Sequence, residues 1–481
     1  MKLIFLTISP YKDYNKYSTC TDYNKQFRFL SGTEEQYYSV WQEGAAKQMR
    51  DIKTFFKYVI PSILSFALSG IYTIVDGFFI GNSIGDIGLS AVNIAYPIVA
   101  VIQALGTGLG MGGAIYYSIN KAEKKEAEAK EFTAGALWLL AIFSIILTVF
   151  IFYLNSPLLR LLGASGQLLS LGEEYITVIA IGASLQVIGT GLVPFIRNHG
   201  GSFYAMVSMI AGFVTNIILD YVFVWVLEWG ISGAAWATII GQGVTMLIAL
   251  VYLLRKKQFT LSIPFSKMGA VSASIIKIGI APFGLAMSPN ISLIIINRFS
   301  VSYGGEPAIA TYACIAYVIC IIYLILQGVG DGSQPLISQC YGKKNWDDLK
   351  FVRKLAYGFA FALSVIGCII MYVTRGSLGM LFGASGEVNA EIARIMPVFL
   401  LSVPFVAILR ITTASFYATE KSTFSYILTF IEPIFMLVLM LILPPLFGGQ
   451  IMIWWSTVLA RILSALLALV LKQRVDKKET C

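Results

Sequence analysis

An aspartate inside an apolar run must find a proton, a cation or a partner. The run "TNIILDYVFV", residues 215–224, carries Asn216 and Asp220 four residues apart, a spacing that places both on one helical face. A second acid, Asp76, lies in "IYTIVDGFFIGN", and a hydroxyl, Thr238, in "GAAWATIIGQ". Placing an ionised aspartate at the centre of a membrane helix costs about 2.5–3.5 kcal/mol on insertion scales. Together these residues offer hard oxygen ligands, suited to a small hard cation or to a proton. The competing reading makes Asp76 and Asp220 packing groups, hydrogen-bonded to neighbouring helices.

The elements that must hold these residues are membrane helices. The chain has 481 residues, 57% hydrophobic and only 13% charged, with a mean hydropathy of +0.76, more than a water-soluble domain hides in one core. About twelve charge-poor runs, each of roughly 20 residues or more, are long enough to cross a hydrocarbon core. They begin near Phe55, Gly88, Phe132, Gly172, Tyr204, Ser232, Ser272, Ala308, Leu355, Ile392, Thr423 and Ile451. Runs this long are helical rather than strands of a barrel, so the fold expected is all-α and integral to the membrane. If helix one leaves the membrane near Asn82, helix five near Glu228, and helix six re-enters near Gly230, a rise of about 1.5 Å per residue puts Asp76, Asp220 and Thr238 about 9–12 Å below one surface. All three then reach the same level.

Lys and Arg alternate by loop: Lys121, Lys124, Lys125 and Lys130, then Arg255 to Lys267, then Lys343 to Lys354, then the tail from Lys472 to Lys478. The intervening loops hold very few, Arg160 and Arg375 among them. The positive-inside rule places both termini in the cytoplasm of a plasma-membrane protein. The net charge of +9 thus reflects topology and gives no support to a nucleic-acid role. The opening "MKLIFLTISP" lacks a small-residue cleavage site, so no signal peptide is expected. Residues 1–52 read as a cytoplasmic tail, or as an upstream extension if translation starts at Met49.

The chain repeats itself. "LLGASGQ" at 161–167 returns as "LFGASGE" at 381–387, Pro61 as Pro282, and the glycines of 108–112 as those of 328–332. Six helices per copy imply two lobes, residues 53–254 and 271–472, related by a pseudo-two-fold axis along the membrane normal. A basic linker, 255–270, joins them, and a short tail, 473–481, follows. A cavity between two such bundles is the architecture of a rocking transporter, and Pro61, which removes a backbone donor inside helix one, is a candidate hinge. At the repeat interval the second copy has Asn297 for Asp76, Met436 for Asn216, Met440 for Asp220 and Val458 for Thr238. Chemistry kept in one copy points to a coupling site, because a scaffold requirement would appear in both.

The "NIILD" segment, the Pro61 and Asp76 pair, the small-residue run ending in Thr238 and the two glycine-rich helices together resemble the multidrug and toxic compound extrusion family over roughly residues 53–472. The resemblance implies a twelve-helix antiporter, most simply a monomer, that exports amphipathic, often cationic compounds against inward Na⁺ or H⁺ and needs no other cofactor. It also implies a first-lobe cation site of Asp76, Asn216, Asp220 and Thr238, extended by the backbone carbonyl of Ala234. One branch of that family carries acids on helices seven and ten, where this chain has Asn297 and only Arg410. A second-lobe cation site is therefore not expected.

Other polar residues suggest rivals. Glu432 is expected to form a structural ion pair with Arg410 or Arg461. "GVGDG", 328–332, matches the G-x-G-D pattern of membrane aspartyl proteases, but such an enzyme needs a second aspartate facing Asp331, and helix seven has none. A lipid-linked saccharide flippase is the nearer rival, although its cavity should be rich in arginine. The single histidine, His199, reads as a solvated loop residue. The six cysteines show no ligand spacing, and with one histidine this leaves no zinc set.

Overall fold

A computed structural model describes residues 52–257, 259–379 and 386–480. The expected N-terminal tail, and most of the second "GASG" motif at 381–385, lie outside the described residues. The chain is helical from end to end of what is described: α1 Ile52–Ile84, α2 Asp86–Ala122, α3 Glu126–Leu161, α4 Gly166–Asn198, α5 Ser202–Asp220, α6 Gly230–Arg255, α7 Phe265–Tyr303, α8 Gly305–Gly342, α9 Trp346–Thr374, α10 Gly386–Leu400, α11 Val403–Ala418, α12 Ser422–Phe447 and α13 Gln450–Thr480. Eleven of these segments are long and apolar enough to span a membrane alone. The pair α10 and α11, bent by 47°, makes a twelfth. The bend sits at Pro404, in the first turn of α11, where a residue without an N–H can start a helix but cannot continue one.

Backbone geometry repeats with the sequence. Left-handed residues fall at Gly85 and Gly305, at Lys124 and Lys344, and at Gly200 and Glu420, each pair separated by the repeat interval of about 220 residues. The outward faces repeat too. Ile146, Val149, Phe150 and Tyr153 of α3 are exposed, as are Ile366, Ile369, Ile370 and Val373 of α9, apolar stripes with helical spacing that suit a lipid contact.

Inside, the lobes meet through α1 against α8 and α2 against α7. Glycine makes this contact possible. A Cβ at Gly328 would lie 2.6 Å from the Ile63 Cα, and one at Gly332 2.8 Å from the Val59 Cα, so neither position accepts a side chain without moving a helix. Gly108 and Gly112 meet Gly279 and Ile275 in the mirrored contact. The glycine-rich motifs are therefore helix-packing surfaces. Hydrogen bonds between the lobes cluster in the half of the bundle that carries the basic loops, as in the Asn198–Gln334 and Glu131–Lys267 contacts. Pro61 lies within an unbroken α1, where Ser65 Oγ donates to its carbonyl at 2.8 Å. Helix α7 starts inside the segment expected as a linker, and α13 continues through the expected tail to Thr480.

Candidate functional site: paired carboxylates in the first lobe

Helices α5 and α6 come close enough for their backbones to touch. A Cβ on Gly212 would fall 2.7 Å from the Gly241 carbonyl oxygen, and Thr245 Oγ1 donates across the same contact to the Ser208 carbonyl at 3.2 Å. One turn further along α5 this approach carries Asn216 onto Thr238. Its Nδ2 stands 3.4 Å from Thr238 Oγ1. With the amide turned over, the nitrogen donates to Asp220 Oδ2 at 3.0 Å while the oxygen accepts from the Thr238 backbone N–H at 3.1 Å, and that orientation satisfies both ends.

Asp220 is the last residue of α5 before the helix widens into a π-turn, Tyr221–Val226. Such local widening re-aims side chains and is frequent at functional sites. The Asp220 carboxyl is fully buried and faces the carboxyl of Asp76 from α1. Two facing carboxylates repel unless a proton or a cation joins them. On each acid the Oδ1 oxygen is buried and has no hydrogen-bond partner, a costly arrangement in a dry interior unless something else is bound there.

Asp76, Asn216, Asp220 and Thr238, separated by up to 162 residues in sequence, thus form one cluster, as their common depth predicts. Ala234, one turn from Thr238, packs its methyl against Ile80 and Val224 in an apolar plug. Two residues escaped the sequence reading. Tyr72 of α1 and Tyr175 of α4 both stand beside Thr238 and face the two acids. Tyr72 is held by stacking on Phe213, ring centres 5.1 Å apart. Its position one turn from Asp76 was a usable signal, whereas Tyr175 was hidden on a helix with no other site residue. Among the described residues no group of three or more His, Cys, Asp or Glu side chains gathers to hold a metal, so the donor set is two carboxylates with neutral oxygens, the kind that suits a monovalent hard cation or a proton.

The second lobe differs at these positions. Met436, Met440 and Val458, at the corresponding positions, are fully buried apolar side chains.

A family profile, MatE, matches the chain twice, over residues 61–222 and 282–443. The chain belongs to the MatE family. Among MatE relatives, the multidrug export protein MepA of Staphylococcus saprophyticus is 25% identical over 435 residues, covering 89% of this chain and 96% of MepA. A structure described as the outward-facing conformation of a multidrug resistance MATE family transporter of the MOP superfamily superposes with a TM-score of 0.84 at 21% identity, covering 90% of this chain and 98% of that one. A MOP superfamily transporter from Pyrococcus furiosus Vc1 gives the same TM-score and identity, covering 89% and 96%. These likenesses establish the fold, two lobes of membrane helices.

Within this MatE fold the remaining buried charges have defined partners. Glu432 Oε1 pairs with Arg461 Nε at 3.2 Å, and Ser402 and the Tyr323 ring flank the guanidinium. Arg410 instead reaches the Leu285 carbonyl. Asp331 accepts from Gln327 at 2.8 Å and Tyr417 at 2.9 Å and lies 3.7 Å from Arg197. No second aspartate stands among these partners, as protease chemistry would require. His199 is half-exposed in the turn after α4 and lines a surface cavity, but it is also held in place. Its ring stacks on Tyr117 of α2 and its Nδ1 meets the Phe195 carbonyl at 2.6 Å.

Proposed function

We propose that this chain exports amphipathic, cationic organic compounds in exchange for Na⁺ or H⁺, with Asp76, Asn216, Asp220 and Thr238 as the coupling site and the Ala234 carbonyl at its edge. The observation that carries the proposal is the facing pair of acids, each with a buried oxygen that has no hydrogen-bond partner, present in one lobe where the other has Asn297 and Met440. A cation or proton arriving there neutralises the pair and fills the vacant acceptors. Relatives described as multidrug export proteins support the substrate class.

The alternating basic loops support an orientation with both termini in the cytoplasm. In that orientation the glycine-packed, hydrogen-bonded end faces the cytoplasm, and the coupling site lies in the outer half of α1 and α5. Cation binding from outside would favour one lobe arrangement over another, and alternation requires this differential affinity. Pro61, which lacks a backbone donor, is the position in α1 where a change of helix shape would cost least. The chain acts as a monomer in this scheme, since one copy contains the whole site.

The test is efflux of a fluorescent lipophilic cation from proteoliposomes under separately imposed Na⁺ and proton gradients. One gradient is expected to drive transport in the wild type, and Asp76→Asn and Asp220→Asn are expected to lose it while still binding dye. Dye movement that neither gradient drives, in folded protein, would count against the exporter reading and favour a lipid-linked saccharide substrate.

A further inference from the structure

Asp331 is a buried acid that the coupling site does not use. It lies on α8 between Gly328 and Gly332, the two glycines that seat α8 on α1, and is only 3% exposed. Its two oxygens face different lobes. Oδ1 accepts from Gln327 and Tyr417, both within the second lobe. Oδ2 faces Nη1 of Arg197, from α4 of the first lobe, at 3.7 Å, too far for a good hydrogen bond. Arg197 and Tyr417 occupy the same position in the two repeats, about 220 residues apart, and both converge on an acid whose own counterpart is Met111. Arg197 is otherwise held by its own lobe, over the Phe66 ring at 5.3 Å and against Met209 Sδ at 3.7 Å.

Rocking the lobes apart at this end would carry Arg197 away with α4 and leave Oδ2 of Asp331 facing the cleft, still fixed by Gln327 and Tyr417. A buried carboxylate that loses its nearest counter-charge, with only the weaker influence of Arg410 left in its own lobe, is disfavoured unless another cation replaces it. We propose that Asp331 is a substrate-binding residue that exchanges counter-ions: Arg197 when the lobes are closed at the basic end, the positive group of an organic cation when they part. This inference rests on the cationic-exporter reading above and names its inner recognition point. Cation binding and opening are then linked, because the substrate is the replacement for the arginine. The Phe66 ring, on α1 of the first lobe, leaves with Arg197, so the carboxylate oxygen is what remains to meet the cation. The neighbouring Asn198 and Gln334 amides, bonded to each other at 3.0 and 3.2 Å, separate in the same movement but are neutral, so their loss selects no charge.

The experiment measures binding of tetraphenylphosphonium, and of neutral triphenylphosphine oxide as a control, to the purified full chain in lipid nanodiscs. Asp331→Asn is expected to weaken tetraphenylphosphonium about tenfold or more, as for loss of a charge-assisted contact, while Asp331→Glu retains most of the affinity. Arg197→Gln is expected to tighten binding several-fold, because no internal pair has to be broken first. The neutral control should not respond to any of these changes. If Asp331→Asn does not fold, the double variant with Arg197→Gln removes the orphaned arginine and is expected to show the same weakening relative to Arg197→Gln. Equal weakening by Arg197→Gln and Asp331→Asn would overturn the proposal and leave a purely structural latch. Unchanged binding in a folded Asp331→Asn protein would overturn it alone, whereas failure of the wild type to bind any lipophilic cation would overturn the exporter reading beneath it.

Discussion

The α5–α6 pair of the first lobe and its repeat counterpart, α12–α13 of the second, hold two helices together by opposite means. In the first lobe Gly212 and Gly241 meet backbone to backbone. At the corresponding positions of the second lobe stand Glu432 and Arg461, joined as a buried ion pair. One and two turns further along, the first lobe has Asn216 and Asp220 where the second has Met436 and Met440. The difference separates charge that is already paired from charge that is not. Opposite charges that satisfy each other need no third party and stay fixed, whereas two facing carboxyls remain incomplete until a proton or cation joins them. Glycine in the first lobe lets α6 approach closely enough for the Asn216 amide to bridge Thr238 and Asp220.

Breaking the second-lobe pair should have the largest effect on stability. Glu432→Gln strands Arg461 and is expected to cost about 3–5 kcal/mol, while Glu432→Leu with Arg461→Met should return close to wild type, as read from thermal unfolding in detergent. If the double variant is the less stable, the pair is not merely structural. In the first lobe, Asp220→Asn is expected to lower coupling-cation affinity about 100-fold, the scale of losing roughly 3 kcal/mol from a charged contact. Met440→Leu, at the matching position, should leave it within about twofold, since an apolar exchange of similar volume is well tolerated. Ion-dependent quenching of tryptophan fluorescence would compare the two directly.

Gly212→Ala places a methyl against the Gly241 carbonyl and is expected to cost about 1–3 kcal/mol in stability. It should weaken cation binding as well, by pushing Thr238 away from Asn216. A destabilised variant with normal cation affinity would separate helix packing from the site. The smallest effect falls on Thr238→Val, which removes one hydroxyl partner and should weaken cation binding by about 1 kcal/mol. Thr238→Ser should largely restore it, a contrast that the cation dependence of dye efflux would resolve.

Asp76, Asn216, Asp220 and Thr238 were legible because membrane helices reduce depth to counting residues. A rise of about 1.5 Å per residue from a known helix end places side chains at one level before any packing is known, and the repeat then shows which of them only one lobe keeps. Tyr72 carried a signal in its position one turn from Asp76, but Tyr175 was not legible, because rotation about a helix axis is set by neighbouring helices and leaves little trace in an apolar sequence. Arg197 was missed for a related reason. It stands two residues before His199, which reads as a loop residue, yet its partner Asp331 shows the same one-copy asymmetry, against Met111, that marks Asp220.

Span length, charge alternation and repeat spacing are properties along the chain, so the class of fold, the duplication and the level of the first-lobe acids could be read from residue order alone. Which helix faces meet is a matter of packing: that Asp76 faces Asp220, that Glu432 takes Arg461 and not Arg410, and that Arg197 crosses to Asp331. Those pairings depend on how far each helix is rotated and how closely it can approach its neighbour, which glycine contacts between distant segments establish.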